Sequence, residues 1–197
     1  MSTAVILAGG NSRRMGRDKM ALDFGGSSLL RSAVARFSRF FDTVLVSVAS
    51  PGAYGGEGFT TVPDIIPGRG PLSGLHAALT YTRDGGVFLS AGDLPFASPA
   101  AAVKLTELCG SHEICVVDGT LGKREPLFGF YKKTLLNKTS RALLDGRHSM
   151  SEFLDSSDTL YAPPALLGEL WDEKMLTNIN SPDDYIKLTK SPFTASP

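Results

Sequence analysis

Surplus charge is the first thing this chain lacks. Its 20 Lys and Arg are matched by 20 Asp and Glu, so the formal net charge is zero. No nucleic acid or membrane surface is therefore expected as a partner recruited through bulk charge. Cysteine is scarce as well. Cys109 and Cys115, with five residues between them, fit no zinc or redox spacing, and their expected role is buried and structural. The three histidines, His76, His112 and His148, are scattered, which disfavours a metal or triad role. No apolar run approaches the roughly 20 residues that cross a bilayer, so a cytoplasmic protein is expected. There is no internal repeat and no linker long enough to split the chain. With 197 residues, 42% hydrophobic and 20% charged, the chain suits one domain over residues 1–190. The polar, proline-bearing stretch 191–197 is expected to fray.

Against that neutral background the cations Arg13, Arg14, Arg17 and Lys19 stand together. They follow the apolar run Thr3-Ala4-Val5-Ile6-Leu7, which reads as a buried strand, and the pair Gly9-Gly10. Glycine lets backbone N–H groups approach an anion closely, and Arg and Lys add charge-assisted hydrogen bonds to phosphate oxygens. The stretch predicts a cradle for a small polyphosphate. It is not a P-loop, because Gly16 is followed by Arg17-Asp18, and Gly9-Gly10-Asn11 does not supply a dinucleotide fingerprint. Nor is it a twin-arginine export signal, since the apolar segment precedes the arginines and is too short. An ordinary solvated loop is the bland alternative.

Strand-like and helix-like segments alternate, which predicts an α/β fold. The expected form is a single-domain Rossmann-like three-layer sandwich with a mostly parallel central sheet. Strands are expected at 3–7, 43–48, 59–62, 87–91, 113–117 and 127–131. Helices are expected at 29–41, 72–82 and 134–144, and also after Ser98-Pro99 and Ser181-Pro182, where a Ser cap precedes Pro at the first helical position.

In such sheets ligands bind outside the carboxyl ends of the strands. Asp64 to Gly74 carries two prolines and three glycines in eleven residues, an irregular path that a plain connector would not need. The Asp64 carboxylate could accept from N1–H and the exocyclic amine of guanine, or from ribose hydroxyls; alternatively it only starts a turn. Gly92-Asp93-Leu94-Pro95 follows a buried strand and puts a carboxylate where a divalent cation could meet phosphate oxygens. Magnesium needs only one or two carboxylates beside waters and substrate phosphates. A helix-entry role for Asp93 loses weight because Ser98 already serves as the cap.

The first stretch closely resembles the signature L-A-G-G-x-S-x-R-M-G-x-D-K of the molybdenum cofactor guanylyltransferases. Its fixed positions are all present, at Leu7, Ala8, Gly9, Gly10, Ser12, Arg14, Met15, Gly16, Asp18 and Lys19. The family's P-G-x-G-P-L-x-G segment is matched at Pro67, Gly68, Gly70, Pro71, Leu72 and Gly74, and its D-x-P motif at Asp93. The closing N-x-N-T-P-E-D motif is matched at Asn178 and Asn180, with Ser181 for Thr and Asp183 for Glu. The resemblance implies transfer of GMP from GTP to the terminal phosphate of molybdopterin, with release of pyrophosphate. It implies a GTP site made by Leu7, Ala8, Gly9, Gly10, Lys19, Asp64 and Asp93, with Asp93 holding Mg2+ and Lys19, Arg14 and Asp93 acting in catalysis. Asn178 and Asn180 are expected either to order their loop or to reach the pterin acceptor, and Lys123 and Arg124 either to meet its phosphate or to be solvated. At Ser47 relatives often carry a longer amide that reaches the nucleotide, so that contact is open. GTP, molybdopterin and proteins that supply or receive the cofactor are the implied partners, and a monomer is expected. Three alternatives remain: a cytidylyltransferase or a sugar-1-phosphate nucleotidyltransferase on the same scaffold, or a non-catalytic nucleotide- or pterin-binding protein.

Overall fold

The computed structural model describes residues 2–9, 18–119 and 124–190. Within them seven strands form one sheet: β1 (Thr3–Leu7), β2 (Thr43–Val48), β3 (Thr60–Pro63), β4 (Gly86–Ala91), β5 (Ile114–Asp118), β6 (Arg124–Lys132) and β7 (Thr159–Ala162), in the order β3-β2-β1-β4-β6-β5-β7. Only β6 runs against the others. The helices are α1 (Leu29–Phe37), α2 (Pro71–Tyr81), α3 (Pro99–Leu108), α4 (Leu136–Leu144), α5 (Met150–Asp155) and α6 (Pro182–Lys190).

Both faces of the central strands are buried, as a parallel sheet requires. Alternate residues of β1 therefore enter different cores. Ala4 and Ile6 pack with α1 and α3 around Phe37, Phe88 and Phe128, while Val5 and Leu7 pack with α2, α4 and α5 around Leu75, Leu89 and Phe153. These two cores make the three layers. The chain moves outward from β1 through β2 to β3, then returns to place β4 on the other side of β1. The switch point, where such folds bind ligands, thus lies between β1 and β4.

Several boundaries differ from the sequence expectation. α1 stops at Phe37, and Phe40 is half exposed, although the chain continues its helix-like spacing: a tight turn, with Phe41 N–H donating to the Phe37 carbonyl, returns Phe41 to the core. β6 begins earlier than expected, with its pairing to β5 jumping between Val116 and Val117. Pro126 sits in that irregularity, where its missing N–H is tolerated. α5 and β7 were not foreseen; each is short, and β7 is an edge strand only partly buried. The two Ser-Pro helix starts form as expected, with the Ser98 hydroxyl accepting from Ala101 N–H at 3.2 Å and the Ser181 hydroxyl from Asp184 N–H at 3.2 Å.

Candidate active site at the switch point

The site grows from the carboxyl ends of β1 and β4, whose register sets Leu7 beside Ala91. Past β1, Ala8 N–H donates to the Ser47 carbonyl at 2.9 Å; past β4, Gly92 N–H donates to the Leu7 carbonyl at 3.0 Å. Only glycine fits at 92. A Cβ there would lie 2.9 Å from the Leu7 oxygen and 2.7 Å from Met20 Sδ. Gly92→Ala is accordingly expected to destabilise the protein by about 1–3 kcal/mol through overpacking, read as a lowered denaturation midpoint. An unchanged midpoint would show that the turn has room to shift.

Asp93 is next. Its carbonyl accepts from Ile179 N–H at 3.0 Å, which docks the Asn178-Ile179-Asn180 segment onto the β4 loop. Its carboxylate lies 2.5 Å from Lys19 Nζ, with the two side chains 15% and 19% exposed. Lys19 opens a short 3-10 turn capped by Asp18, whose Oδ1 accepts from Met20 N–H at 2.9 Å; Met20 is buried beneath. Asp18 Oδ2 in turn accepts from the Tyr54 hydroxyl at 2.7 Å, and this tyrosine holds a left-handed backbone with φ 57°.

On the other side of β1, Asp64 follows β3 and is tied to the sheet through its N–H, which donates to the Val48 carbonyl at 3.0 Å. Burial pushes its carboxyl up to about 6, and among the described residues the carboxylate takes no hydrogen bond. The chain then reaches α2 through Gly70, whose φ of 63° and ψ of −148° lie in a region open essentially to glycine. Pro71 starts the helix. Gly74 lets α2 press on the sheet, since a Cβ there would lie 2.5 Å from Ser47 Oγ and 2.7 Å from Leu7 Cδ2.

Three hollows meet at Gly9. One of about 280 Å3 is lined by Leu7, Gly9, Ser47, Asp64, Gly70 and Gly74. A second, of about 80 Å3, is lined by Ala8, Gly9, Lys19, Asp93 and Leu127. The third, about 300 Å3, lies between Gly9, Asp18, Ser50 and Tyr54. The structure thus brings together Leu7, Ala8, Gly9, Lys19, Asp64 and Asp93.

The remaining candidates divide. Gly10, Ser12, Arg13, Arg14, Met15, Gly16, Arg17 and Lys123 lie outside the described residues. Asn178 stands beside the site, with an enclosed Oδ1 that has no hydrogen-bond partner among the described residues. Asn180 is exposed, and its N–H donates to the Asp184 carboxylate at 3.0 Å, so its backbone helps start α6. Arg124 is engaged elsewhere: it pairs with Asp155 at 2.5 Å and lies over the Tyr161 ring at 4.2 Å. Ser47 is buried against α2. Among the histidines, His76 contacts the Ser140 hydroxyl at 2.9 Å, His112 pairs with Asp158, and His148 bonds the Gly146 carbonyl. Both cysteines are free and buried. Among the described residues no group of three or more His, Cys, Asp or Glu could hold a metal, and no helix is long and apolar enough to cross a membrane. Sequence reasoning missed Tyr54, for which the only signal was the glycine-rich segment around it.

Residues 4–160 match the MobA-like NTP transferase domain family. A molybdenum cofactor guanylyltransferase from Rhizobium johnstonii is 31% identical over 93% of this chain and 89% of its own length. The crystal structure of molybdopterin-guanine dinucleotide biosynthesis protein A from Archaeoglobus fulgidus superposes with a TM-score of 0.83 at 25% identity, covering 95% of this chain and 96% of that one. A Mycobacterium tuberculosis structure in complex with manganese shares the fold, with a TM-score of 0.61 and 18% identity over 96% of this chain and 98% of that one. From its signature loops to its sheet order, this chain belongs to the MobA-like NTP transferase family of nucleotidyltransferases, among the molybdenum cofactor guanylyltransferases.

Proposed function

We propose that the protein transfers GMP from GTP to the terminal phosphate of molybdopterin, releasing pyrophosphate and forming the guanine dinucleotide cofactor. The observation that carries this reading is the junction of hollows at Gly9. On one side stands a half-buried carboxylate, Asp64, without a hydrogen-bonded partner among the described residues, and on the other the Lys19–Asp93 pair. The first suits a base or ribose with paired donors; the second suits phosphates and a cation.

A lone carboxylate at the end of β4 fits Mg2+, which takes one or two carboxylates and completes its shell with water and phosphate oxygens. Asp93 would hold it. When bound, the ion would neutralise charge on the transferring and leaving phosphates. Lys19 supplies a point charge to the same oxygens, and Gly9 exposes backbone to them without a Cβ. Arg14 and Gly10 are assigned to the triphosphate through the family signature. No general base is needed, because the attacking phosphate is already ionised. We assign Asn178 to the acceptor side, a reading supported by the neighbouring Ile179 N–H, which donates to the Asp93 carbonyl. We infer further that residues 1–190 act as one domain, as a cytoplasmic monomer that meets proteins supplying or receiving the cofactor.

The test is pyrophosphate release with molybdopterin as acceptor and GTP, CTP or ATP as donor. GTP should be preferred; equal use of CTP would move the assignment to a cytidylyltransferase. Lys19→Ala should weaken GTP binding and slow transfer together, by about 1.5–3 kcal/mol for one charge-assisted hydrogen bond. Calorimetry and turnover both at wild-type values would remove Lys19 from the phosphate site.

A further inference from the structure

Arg36 sits in the last turn of α1 with no catalytic motif near it in the sequence. Its guanidinium reaches across to the loop after β4, where Nη1 donates to the Pro95 carbonyl and Nη2 to the Leu94 carbonyl at 3.2 Å. These are the two residues directly after Asp93. Its Nε is enclosed, and among the described residues no carboxylate pairs with it. A cation serving only the helix end or the surface would stay hydrated or meet an acid. This one is partly dehydrated, and burial lowers its pKa to about 10. Its ordering is directed at two consecutive carbonyls, an arrangement that fixes the path of a backbone.

The rest of that backbone is anchored independently. Before Asp93, Gly92 N–H holds the Leu7 carbonyl; at Asp93, the carbonyl takes Ile179 N–H; beyond it, Leu94 is buried and its carbonyl also accepts Ala97 N–H at 3.2 Å. Arg36 supplies the side-chain bonds on the far flank. Without them, Leu94-Pro95 would be held by packing and by two backbone hydrogen bonds, both on Leu94 (its N–H to the Ala91 carbonyl at 3.4 Å and its carbonyl from Ala97 N–H), with none on Pro95, and the Asp93 side chain would inherit the looseness.

We propose that Arg36 is a positioning residue of the cation site, its guanidinium fixing the Leu94–Pro95 backbone so that the Asp93 carboxylate keeps the orientation that takes a divalent cation beside the nucleotide phosphates. The inference rests on the reading of Asp93 as the cation ligand. It separates the two sides of the site: loss of Arg36 acts on the cation and on turnover, and leaves the Asp64 hollow as it was.

The experiment is an electron paramagnetic resonance titration of Mn2+ into enzyme saturated with GTP, for wild type, Arg36→Met, Arg36→Lys and Asp93→Asn. It is accompanied by calorimetry of GTP binding without metal and by kcat and KM for GTP. Arg36→Met keeps the stem and removes the donors. It should weaken Mn2+ about ten- to a hundredfold, the usual cost of losing a group that orients a metal ligand, and lower kcat comparably. Metal-free GTP affinity and KM should stay at wild-type values, and Arg36→Lys should recover part of the loss. Wild-type Mn2+ affinity in a folded Arg36→Met protein would overturn the proposal, as would a matching fall in metal-free GTP affinity. If Asp93→Asn itself binds Mn2+ as wild type does, the assignment of Asp93 falls instead. Should Arg36→Met not fold, Arg36→Gln is read by the same criteria.

Discussion

An Asp93→Ala protein is expected to fold and to lose GMP transfer by about three orders of magnitude, since a metal ligand at a phosphoryl-transfer centre contributes several kcal/mol of charge stabilisation. The fold should survive because the structural work of residue 93 is done by its backbone: the carbonyl receives Ile179 N–H whatever the side chain. What disappears is the carboxylate facing Lys19. The released lysine is largely buried, so removing its partner is expected to cost stability about 1–3 kcal/mol, more than an exposed pair would. Circular dichroism should therefore still report the native fold, with a lowered melting temperature, while pyrophosphate release fails, and raising Mg2+ should not restore it. Lys19→Ala provides the contrast, because it should spare Mn2+ binding and damage GTP binding. A folded Asp93→Ala protein with near wild-type turnover would falsify the cation assignment.

The two halves of this site were unequally legible in the sequence. β1 and β4 are apolar on both faces because they are central in a parallel sheet, so both read as buried strands, and the glycines after them marked the loops. The irregular Pro-Gly path after Asp64 was legible for the same kind of reason: Gly70 takes a conformation few other residues adopt, and Gly74 lies where a Cβ would strike Ser47 and Leu7. The pairing of Lys19 with Asp93 was not legible. The two residues are 74 apart, and what joins them is the Leu7–Ala91 register that sets the ends of β1 and β4 side by side. Arg36 was invisible for a related reason. A helical arginine carries no mark of its target, and this one reaches carbonyls 58 and 59 residues away. The end of α1 was overrun because apolar spacing reports which side of the chain faces the core, and a tight turn can preserve that side after the helix has stopped. Tyr54 belongs with these cases: its hydroxyl donates to Asp18, 36 residues away, which only the folded chain brings near.

Base choice should respond to Asp64 and to pH in a linked way. Guanine offers N1–H and an amino group as parallel donors, which one carboxylate can accept together; cytosine lacks that donor pair and would leave the carboxylate unmatched. Sites built on such hydrogen bonds reject the analogue that lacks them by about 10⁴–10⁵. A preference for GTP over CTP of at least about a hundredfold is therefore expected, short of that range because Asp64 is only half buried. Burial raises the Asp64 pKa from an ordinary 3.8 to about 6. Above about 6 the carboxylate is ionised and can accept both donors; below it the proton occupies one oxygen. kcat/KM for GTP, which reports the free enzyme, should thus fall as pH drops through about 6, while guanine, by favouring the ionised form, carries the inflection of kcat lower. Stability runs the other way. Between the unfolded value near 3.8 and the folded value near 6 the native state binds more protons, so stability falls as pH rises across that window. Asp64→Asn should therefore leave the protein at least as stable at neutral pH while narrowing the gap between GTP and CTP and flattening the inflection near pH 6. Selectivity that persists in Asp64→Asn would transfer the reading of the base to backbone groups near Leu7 and Ala8. Two of those are already engaged, Ala8 N–H with the Ser47 carbonyl and the Leu7 carbonyl with Gly92 N–H. A side-chain reader at Asp64 is the reading that this arrangement favours.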